Sequence, residues 1–556
     1  MADLIDAPFD RSIPPDRAGF SRLASLWLTG QVHFDALRAA PRRYMVALKW
    51  RVLGKKVRAR GQMAPLLAMS PRAYRLWAMH ADRAARQASL PDPARPIIAL
   101  IDAGTNNDPG DAALLARTQA SLRAEGLPFF QVGGAHSSSL SDVAAAIDWQ
   151  ADPWIMPALV GDTVAVGTAA AYRAAMAETK ARVIYADDDV FLKGRFRDSP
   201  HFKPDWNSAL FEHFDYLTGA CIVRAGRDAL SAVADRADWA QRLVSGQAAG
   251  SPVAPLHLRA VLHHRRVRPS PAVPARPLAL HPELPSLSVI VPTRNRRDLL
   301  STCLDGLEKT HYPDLEIIVV DNDSDDQETL AYLASLEAPR YRVIRHSGPF
   351  NYSAINNRAV DAARGTLICL LNNDIEIIEP DWLRIMATSA LRPDVGAVGA
   401  RLLYPDGRIQ HAGVVIGVGN AAGHAHRFLR PEQAGYFQRH NLPQFTAAVT
   451  AACLVVARDR FLAVGGLDEQ NFAVAFNDVD LCLRLNAQGW QSFYEPRATL
   501  FHHESVSRGL DRDPIGAARF AGELSALQRL WQTNVIVDPF HHPQLSRASE
   551  QFSIGL

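Results

Sequence analysis

The chain begins with helical spacing and later changes to alternating strand and helix patterns. Up to about residue 95, apolar residues recur every three or four positions, which indicates amphipathic helices. From residue 96, short apolar runs alternate with amphipathic stretches, which predicts a parallel sheet with crossover helices. Residues 269–286 are proline-rich and lack periodicity, as a linker does. The alternation then resumes with more uniformly apolar strands, which predicts a second α/β domain whose sheet is covered on both faces.

This pattern predicts an α/β fold class, with two Rossmann-like domains of mostly parallel sheet in tandem after a helical N-terminal segment. A chain of 556 residues is too long for one hydrophobic core, which agrees with several domains. The predicted parts are a helical basic segment 1–95, a first α/β domain 96–268, a linker 269–286, a second α/β domain 287–535 and a C-terminal tail 536–556.

Composition narrows the class of protein only modestly. With 48% hydrophobic residues, 21% charged residues and a formal net charge of +2, the chain is typical of a globular protein, and we expect no nucleic-acid partner. The 5 widely spaced cysteines predict buried, reduced thiols and no disulfide framework. The start lacks the order of a signal peptide, and no apolar run approaches the ~20 residues that span a bilayer. We therefore expect a cytoplasmic protein.

The first 95 residues contain many more basic than acidic side chains. Residues 44–60, YMVALKWRVLGKKVRAR, mix cations with apolar and aromatic residues, as an interfacial helix does. Such a helix predicts peripheral contact with the inner membrane, where each basic residue near an anionic surface contributes ~1 kcal/mol. The alternative is a helix packed on the first α/β domain with its charges in water.

Polar side chains follow three strands of the second predicted α/β domain. These strands end in Pro-Thr-Arg-Asn (292–295), Asp-Asn (321–322) and Asn-Asn-Asp (372–374). Asn and Asp also cap turns after strands, which is the ordinary explanation for a single cluster. Because ligands bind beyond the carboxyl ends of strands in such sheets, three clusters at one edge indicate a binding site.

Longer motifs continue along the second α/β domain. They are VIVPTRN, IIVVDN, LLNND, GAVGARLLYPDGRIQHAG, VTAACLVV, GGLDE, FNDVDL and HHES. With these motifs, residues 287–510 resemble a family 2 glycosyltransferase of GT-A fold, in particular the rhamnosyltransferase-like branch that builds bacterial surface polysaccharides such as O-antigen. The resemblance implies two GT-A-like domains, the first of them degenerate, and a donor sugar linked to a nucleoside diphosphate.

The resemblance also implies a divalent metal, Mg²⁺ or Mn²⁺, that holds the diphosphate of the donor. Asp374 fills the last place of the family's Asp-x-Asp motif and is the predicted metal ligand. Asn372 stands where the first Asp usually stands, brings no charge, and is predicted to contact the nucleotide sugar. His502 is the predicted final metal ligand, with His503 or a plain polar strand end as the alternative.

The same resemblance assigns the nucleotide-sugar pocket. Asp321 is predicted to hold the base or ribose, and Arg508 the diphosphate, although a solvated arginine fits Arg508 equally well. The other predicted pocket residues are Pro292, Thr293, Asn295, Asn322 and Asn356. Ordinary turn chemistry is the alternative for Asn295 and Asn322.

Two carboxylates open the predicted helix FNDVDLCLRL. Asp478 and Asp480 are two positions apart and do not share a helix face, so only one of them can point at the reacting atoms. The resemblance assigns Asp478 as the general base, with Asn477 replacing the usual preceding Glu. The alternative role for either carboxylate is interaction with the helix dipole, and Asp480 fits that role.

The first α/β domain reads as a divergent repeat of the second. YADDDV (185–190) parallels LLNNDI, ADWAQRL (237–243) parallels DVDLCLRL, and LRAVLHHRR (258–266) parallels RATLFHH. The first copy keeps Asp187 and Asp189. Its stretch from YADDD to ADW, however, is about half as long as the stretch from LLNND to NDVD in the second copy. We predict a degenerate, mostly structural copy, with a second active site as the alternative.

These observations predict an inverting glycosyltransferase, with dTDP-rhamnose as the donor that the family branch suggests. The acceptor would be a hydroxyl of a growing cell-surface polysaccharide or lipid-linked oligosaccharide. One base and no clear carboxylate nucleophile favour a single displacement. The alternatives are a non-catalytic partner in a polysaccharide assembly complex, and a nucleotidyltransferase, although PTRNRRD lacks the Gly-rich loop that a triphosphate needs.

Overall fold

The computed structural model describes residues 22–85, 95–103, 109–133, 138–192, 196–336, 339–503 and 514–556. Within these residues the chain divides into two units, which are described separately. Unit 1 runs to Trp206 and includes Tyr216–Pro269 and Ile554–Leu556; unit 2 comprises Asn207–Asp215 and Ser270–Ser553.

Unit 1 begins with helices and continues as an α/β structure. Its first helices are α1 Arg22–Ala39, α2 Pro41–Val52, α3 Lys56–Ala68, α4 Ala73–Ala85, α5 Pro109–Ala124, α6 Leu140–Ala146 and α7 Thr168–Glu178. After α8 Ser208–His213, which belongs to unit 2, come α9 Arg227–Ser231 and α10 Trp239–Ala249. The strands are β1 Ile97–Asp102, β2 Phe129–Val132, β3 Trp154–Leu159, β4 Thr163–Val164, β5 Val183–Leu192, β6 Phe196–His201, β7 Cys221–Arg224 and β8 Leu256–Arg265.

The N-terminal helices belong to the same unit as the first sheet, which differs from the predicted separate segment 1–95. Tyr74 on α4 donates a 2.5 Å hydrogen bond to Asp189 Oδ2 on β5. Trp77 packs edge-on against Phe202, with ring centroids 4.8 Å apart. These buried contacts join α4 to the sheet, because buried polar groups need partners and aromatic rings bury large areas.

Unit 2 has the same alternation of strands and helices. Its further helices are α11 Arg297–Glu308, α12 Gln327–Ser335, α13 Tyr352–Ala362, α14 Trp382–Ala390, α15 Arg458–Ala463, α16 Asn477–Ala487 and α17 Pro514–Trp531. Its strands are β9 Leu287–Thr293, β10 Leu315–Asp321, β11 Tyr341–Arg345, β12 Leu367–Leu371, β13 Ile375–Ile377, β14 Val395–Leu403, β15 Ile409–His411, β16 Val414–Ile416, β17 Ala422–His424, β18 Gln444–Thr446, β19 Cys453–Ala457 and β20 Gln491–His502.

The main sheet of unit 2 has the strand order β11-β10-β9-β12-β19-β14-β20-β13. The first four strands are parallel, as predicted, whereas β19 runs antiparallel between β12 and β14. Every residue of β9 and β12 is buried, as in sheets covered on both faces. The predicted α/β class with GT-A-like domains is confirmed, with a sheet that is parallel on one side and mixed on the other.

The last residues of the chain are packed and do not form the predicted tail 536–556. Asp538 is 4% exposed and accepts a 2.7 Å hydrogen bond from the Ile416 amide. The Phe552 ring stacks on His426 at 4.5 Å between centroids. The apolar and aromatic residues of this segment have no helical or strand periodicity, so nothing in the sequence indicated that the segment packs.

The two main sheets repeat each other strand by strand. In chain order, β1, β2, β3, β4, β5, β7 and β8 match β9, β10, β12, β13, β14, β19 and β20 in sheet position and relative direction. Unit 1 lacks a counterpart of β11 among its described residues. The repeat predicted from the sequence is therefore present in the fold.

The strand register corrects one part of the predicted repeat. β4 pairs with β8 as β13 pairs with β20. The Asp162 amide donates to the Leu159 carbonyl as the Ile375 amide donates to the Asn372 carbonyl, so Gly161 takes the position of Asp374. The prediction that YADDDV parallels LLNNDI is wrong, because β5 occupies the place of β14; the pairing of the two His-His strands is confirmed.

Two further predictions concern the whole chain. All 5 cysteines are free and buried, as expected. In the part of the chain that the structure describes, no helix combines the length and the apolar character needed to cross a membrane.

Candidate active site

A cleft of about 640 Å³ opens in unit 2 at the carboxyl ends of β9 and β12. The start of α16 and the end of β20 close its other sides. Residues predicted from the sequence that line this cleft are Pro292, Thr293, Asn295, Asn322, Asn372, Asp374, Asp478 and His502. The strand ends therefore do converge on one site, which a capping role alone does not explain.

Asp374 and His502 face each other in this cleft because β13 pairs with β20. Asp374 Oδ1 lies 3.1 Å from His502 Nε2. This buried oxygen accepts no hydrogen bond from any residue that the structure describes. A buried carboxylate oxygen without a donor is costly unless a cation satisfies it, so the pair fits a divalent metal.

Gln410 fixes the orientation of the His502 ring. Gln410 Oε1 lies 2.6 Å from His502 Nδ1. Because an amide oxygen only accepts, Nδ1 carries the proton and the Nε2 lone pair faces Asp374. Partners of this kind hold the ring of a metal-ligating histidine.

His503 points to a different neighbour and is the weaker candidate ligand. Its Nε2 lies 2.9 Å from Glu376 Oε2, and both side chains are partly exposed. Consecutive residues of a strand point to opposite faces, so only one of the two histidines can turn toward the cleft. The geometry favours His502 over His503, and its role as a metal ligand stays a prediction.

The Asn-Asn-Asp stretch divides its roles between structure and site. Asn373 is buried and donates a 3.0 Å hydrogen bond to Thr293 Oγ1, which ties the ends of β12 and β9 together. Asn372 Nδ2 reaches to 3.5 Å from His502 Nε2. All three residues line the cleft, and the middle one also holds the strand ends together.

Asn295 and Asn322 make turn contacts at the cleft edge. The Asn295 side chain accepts from the amides of Asp325 and Asp326, and its backbone has a left-handed φ of 55°. Asn322 Nδ2 donates to the carbonyls of His346 and Gly348. The alternative of turn chemistry thus describes their present contacts, although both residues also line the cleft.

Asp321 and Asn356 lie behind the cleft wall. Asp321 is 4% exposed, and its Oδ1 accepts a 3.0 Å hydrogen bond from the Ser324 amide. Asn356 is buried and donates to the Tyr352 carbonyl at 2.8 Å. Their nucleotide-binding roles remain predictions, and Arg508 lies outside the described residues.

Asp478 lies at the opposite side of the cleft, in the first turn of α16. Its Oδ2 accepts a 3.1 Å hydrogen bond from the Ala451 amide, and its Oδ1 accepts from the Val479 amide at 2.8 Å. Burial raises the pKa of the Asp478 carboxyl, and these two amides together with the Thr450 side chain limit the rise. A carboxylate that faces a cleft and has a raised pKa is suited to accept a proton.

Asp480 does not reach the cleft. Arg484 Nη2 lies 2.6 Å from Asp480 Oδ2, and Trp531 Nε1 donates to Oδ1 at 2.9 Å. The carboxylate therefore joins α16 to α17. Of the two carboxylates that open the helix, only Asp478 lines the cleft, in agreement with their helical spacing.

Glu523 on α17 shapes the site and was missed in the sequence. This buried carboxylate accepts hydrogen bonds from the amides of Val474 and Ala475, at 2.8 and 3.2 Å. Val474 lines the cleft just before Asn477 and Asp478. Glu523 thus fixes the loop that leads into the base-bearing helix, across 49 residues of sequence that no local motif connects.

Two buried carboxylates of unit 1, Asp162 and Asp188, lie beside cationic side chains. Asp162 accepts a 2.7 Å hydrogen bond from the Arg266 amide, and burial raises its pKa to about 6 against the opposing charge of Arg265. Asp188 forms a 2.8 Å ion pair with Lys203, where both side chains are almost fully buried. Burial alone would raise the pKa of Asp188, but the charges of Lys203, Arg268 and Arg265 together outweigh it and hold that pKa well below its usual range.

The base position of unit 1 also differs. Helix α10 begins at Trp239 and α16 begins at Asn477, so Ala240 holds the place of Asp478 in the first turn. Ala240 lines a pocket together with Thr218 and Gly219, as Asp478 does with Thr450 and Ala451. An alanine side chain has no group that could accept a proton.

Comparison with known proteins identifies the family of unit 2. Residues 288–445 match the family described as Glycosyl transferase family 2. This part of the chain belongs to that family, as predicted. The match ends before Asp478 and His502, so the placement of those two residues in the site comes from the structure.

Relatives are found among curated proteins. The uncharacterized protein y4gI of Sinorhizobium fredii is 39% identical over 424 residues, covering 68% of this chain and 47% of that protein. The O-antigen biosynthesis protein RfbC of Myxococcus xanthus is 34% identical over 415 residues, covering 67% and 32%. This chain therefore spans less than half the length of these two relatives.

A shorter relative and a solved structure complete the comparison. The N-acetylglucosaminyl-diphospho-decaprenol L-rhamnosyltransferase of Mycobacterium tuberculosis is 28% identical over 219 residues, covering 36% of this chain and 69% of that protein. The mannosyltransferase PcManGT of Pyrobaculum calidifontis, solved with GDP-mannose and Mn²⁺, is 18% identical with a TM-score of 0.35, covering 48% and 71%.

Proposed function

We propose that unit 2 is an inverting glycosyltransferase that moves a sugar from a nucleoside-diphosphate donor to an acceptor hydroxyl. The observation that carries this proposal is one cleft with a metal-compatible pair, Asp374 and His502, on one side and the carboxylate of Asp478 on the other. The family match of residues 288–445 supports the reaction class.

The residues of the cleft divide the work of the reaction. Asp374 and His502 would hold a divalent cation, which would neutralise charge on the departing diphosphate. Asp478 accepts the proton of the acceptor hydroxyl as that oxygen attacks the anomeric carbon. The attack breaks the bond from that carbon to the diphosphate oxygen, and one displacement inverts the configuration.

The donor set favours Mn²⁺ over Mg²⁺. Mg²⁺ prefers oxygen ligands in near-octahedral geometry, and an imidazole nitrogen at His502 suits it poorly. Asn372 stands where the family usually has an Asp, so its amide adds no second negative charge to the site. Arg294 lines the cleft and has an exposed side chain. It is therefore suited to add positive charge near the diphosphate.

The names of the relatives suggest the substrates. RfbC is named for O-antigen biosynthesis, and the mycobacterial relative is named as an L-rhamnosyltransferase acting on a decaprenol-linked sugar. By this analogy, we propose dTDP-rhamnose as the donor and a lipid-linked or growing surface saccharide as the acceptor. The reaction would then take place at the inner face of the cytoplasmic membrane.

Asp321→Ala is expected to weaken nucleotide binding to a similar degree with and without added metal. Asp321 ends β10, where the resemblance places the base or ribose of the nucleotide. It is separated in sequence from Asp374 and His502, the predicted metal ligands. Calorimetric titration with a nucleoside diphosphate, with and without Mn²⁺, measures this effect. Unchanged affinity would assign Asp321 to holding the Ser324 turn alone.

A non-catalytic role in a polysaccharide assembly complex is the second candidate. The amide at Asn372 in place of a carboxylate favours it. Slow hydrolysis of bound donor sugar by the purified protein separates the two, because only a catalytic cleft activates the anomeric bond. Donor that binds and stays intact, with and without acceptor, would favour the non-catalytic role.

The first α/β domain serves as a structural copy in this proposal. Gly161 stands in the place of Asp374 and Ala240 in the place of Asp478, so neither the metal ligand nor the base has a counterpart there. A single nucleotide-binding site per chain is therefore expected. Two equivalent nucleotide-binding sites in the calorimetric titration would support the alternative of a second active site.

A further inference from the structure

Helix α2, Pro41–Val52, carries most of its apolar side chains on the side away from its own packing contacts. Ala47 is fully buried, and Tyr44 and Trp50 are half-buried, so these residues mark the inward side. Val52 is 80% exposed, and Met45 is 55% exposed. An exposed patch of apolar residues, in contrast to single ones, marks a surface that another molecule covers.

Helical geometry orders these exposed side chains into one face. At 3.6 residues per turn, Met45, Leu48 and Val52 form one flank, and Val46 and Leu53 form the other. Arg42 and Lys49 lie between the two flanks, opposite Ala47. These seven residues are called the outward face of α2. Exposed apolar side chains next to cations suit an anionic membrane interface, because binding there increases with buried apolar area and with attraction to anionic lipids.

The sequence around α2 contains charged residues of one sign only. Residues 36–81 contain no Asp or Glu, while their basic residues are Arg38, Arg42, Arg43, Lys49, Arg51, Lys55, Lys56, Arg58, Arg60, Arg72 and Arg75. The basic side chains from Arg42 to Arg60 are exposed. A second copy of this chain would bring like charges together, which disfavours self-association through this face.

We propose that the outward face of α2 binds an anionic phospholipid surface. The apolar flanks enter the boundary between headgroups and acyl chains, and the cations contact lipid phosphates. The alternative that α2 packs its apolar residues on the first α/β domain does not agree with their exposure. This proposal stands apart from the reaction of unit 2, because it rests on the surface of unit 1 alone.

Co-sedimentation of the full chain with vesicles tests the proposal. We expect binding to phosphatidylglycerol vesicles at low salt, weaker binding at raised salt, and none to pure phosphatidylcholine vesicles, because screening weakens surface electrostatics. Equal binding to both lipids, or none to either, would overturn it. If the chain binds an acidic protein and does not bind the vesicles, the proposal is overturned as well.

Variants with matched controls locate the contact. Lys49→Glu is expected to weaken binding to anionic vesicles about tenfold or more, and Val52→Asp to weaken it as well. The controls are Lys180→Glu, exposed elsewhere in unit 1, and Val166→Asp, where the valine is 66% exposed. If each control weakens binding as much as its partner, the outward face of α2 is not the contact. Circular dichroism checks that all four variants are folded.

Discussion

Asp478→Asn is expected to reduce sugar transfer by about 10²–10⁴-fold while leaving nucleotide binding nearly unchanged. The side chains have the same shape, and the asparagine oxygen can still accept from the Ala451 amide. What is lost is the ability to accept the acceptor's proton. Turnover at saturating donor, together with calorimetry for the nucleotide, measures the two effects separately.

Asp480→Asn is the matched control, two residues along the same helix. Asp480 joins Arg484 and Trp531, so its loss should lower the melting temperature and leave the chemistry of the folded fraction intact. Near-normal turnover in Asp478→Asn would remove Asp478 from the role of base. Because the base works only when ionised and burial raises its pKa, activity of the parent should rise with pH above the ordinary Asp value of about 4.

Asp374→Ala is expected to weaken metal-dependent binding of the nucleoside diphosphate by at least the ~10–100-fold that loss of an outer-shell partner costs. Transfer should fall with it, and added Mn²⁺ or Mg²⁺ should not restore it. The reason is that Asp374 is the one carboxylate of the cleft that faces His502 Nε2 among the described residues. Titration of nucleotide at several Mn²⁺ concentrations measures the loss.

Glu376→Ala provides the control for this second experiment. Glu376 lies on the same strand, carries the same charge, and contacts His503 at the partly exposed side of β13. Its loss should leave nucleotide affinity unchanged. If Asp374→Ala binds donor as well as the parent does, the Asn-Asn-Asp stretch is a strand cap and the metal site lies elsewhere.

The elements that could be predicted from the sequence are those with local, repetitive patterns. β9 and β12 are continuous apolar runs, and the polar residues at their ends are enough to indicate the edge of the cleft. His502 was predicted as the ligand with His503 as the alternative, because a strand sequence shows alternation without showing which face is inward. The register against β13 turns His502 toward Asp374.

Other features depend on contacts between distant parts of the chain. Gln410 orients His502 across 92 residues, and Glu523 fixes the loop before Asp478. Neither belongs to a motif with a fixed spacing. In unit 1, the acidic run of β5 resembled the metal motif because both follow apolar residues, and only the turn before β4 shows that Gly161 holds that position.

The central claim is that the cleft of unit 2 transfers a sugar with inversion from a nucleoside diphosphate. Nuclear magnetic resonance of the reaction with Mn²⁺, a nucleoside-diphosphate sugar that stabilises the protein, and a saccharide acceptor tests it most directly. The account predicts release of the nucleoside diphosphate and a glycosidic bond of inverted anomeric configuration, both lost in Asp478→Asn. Retained configuration, or the same product from Asp478→Asn at the parent's rate, would contradict it.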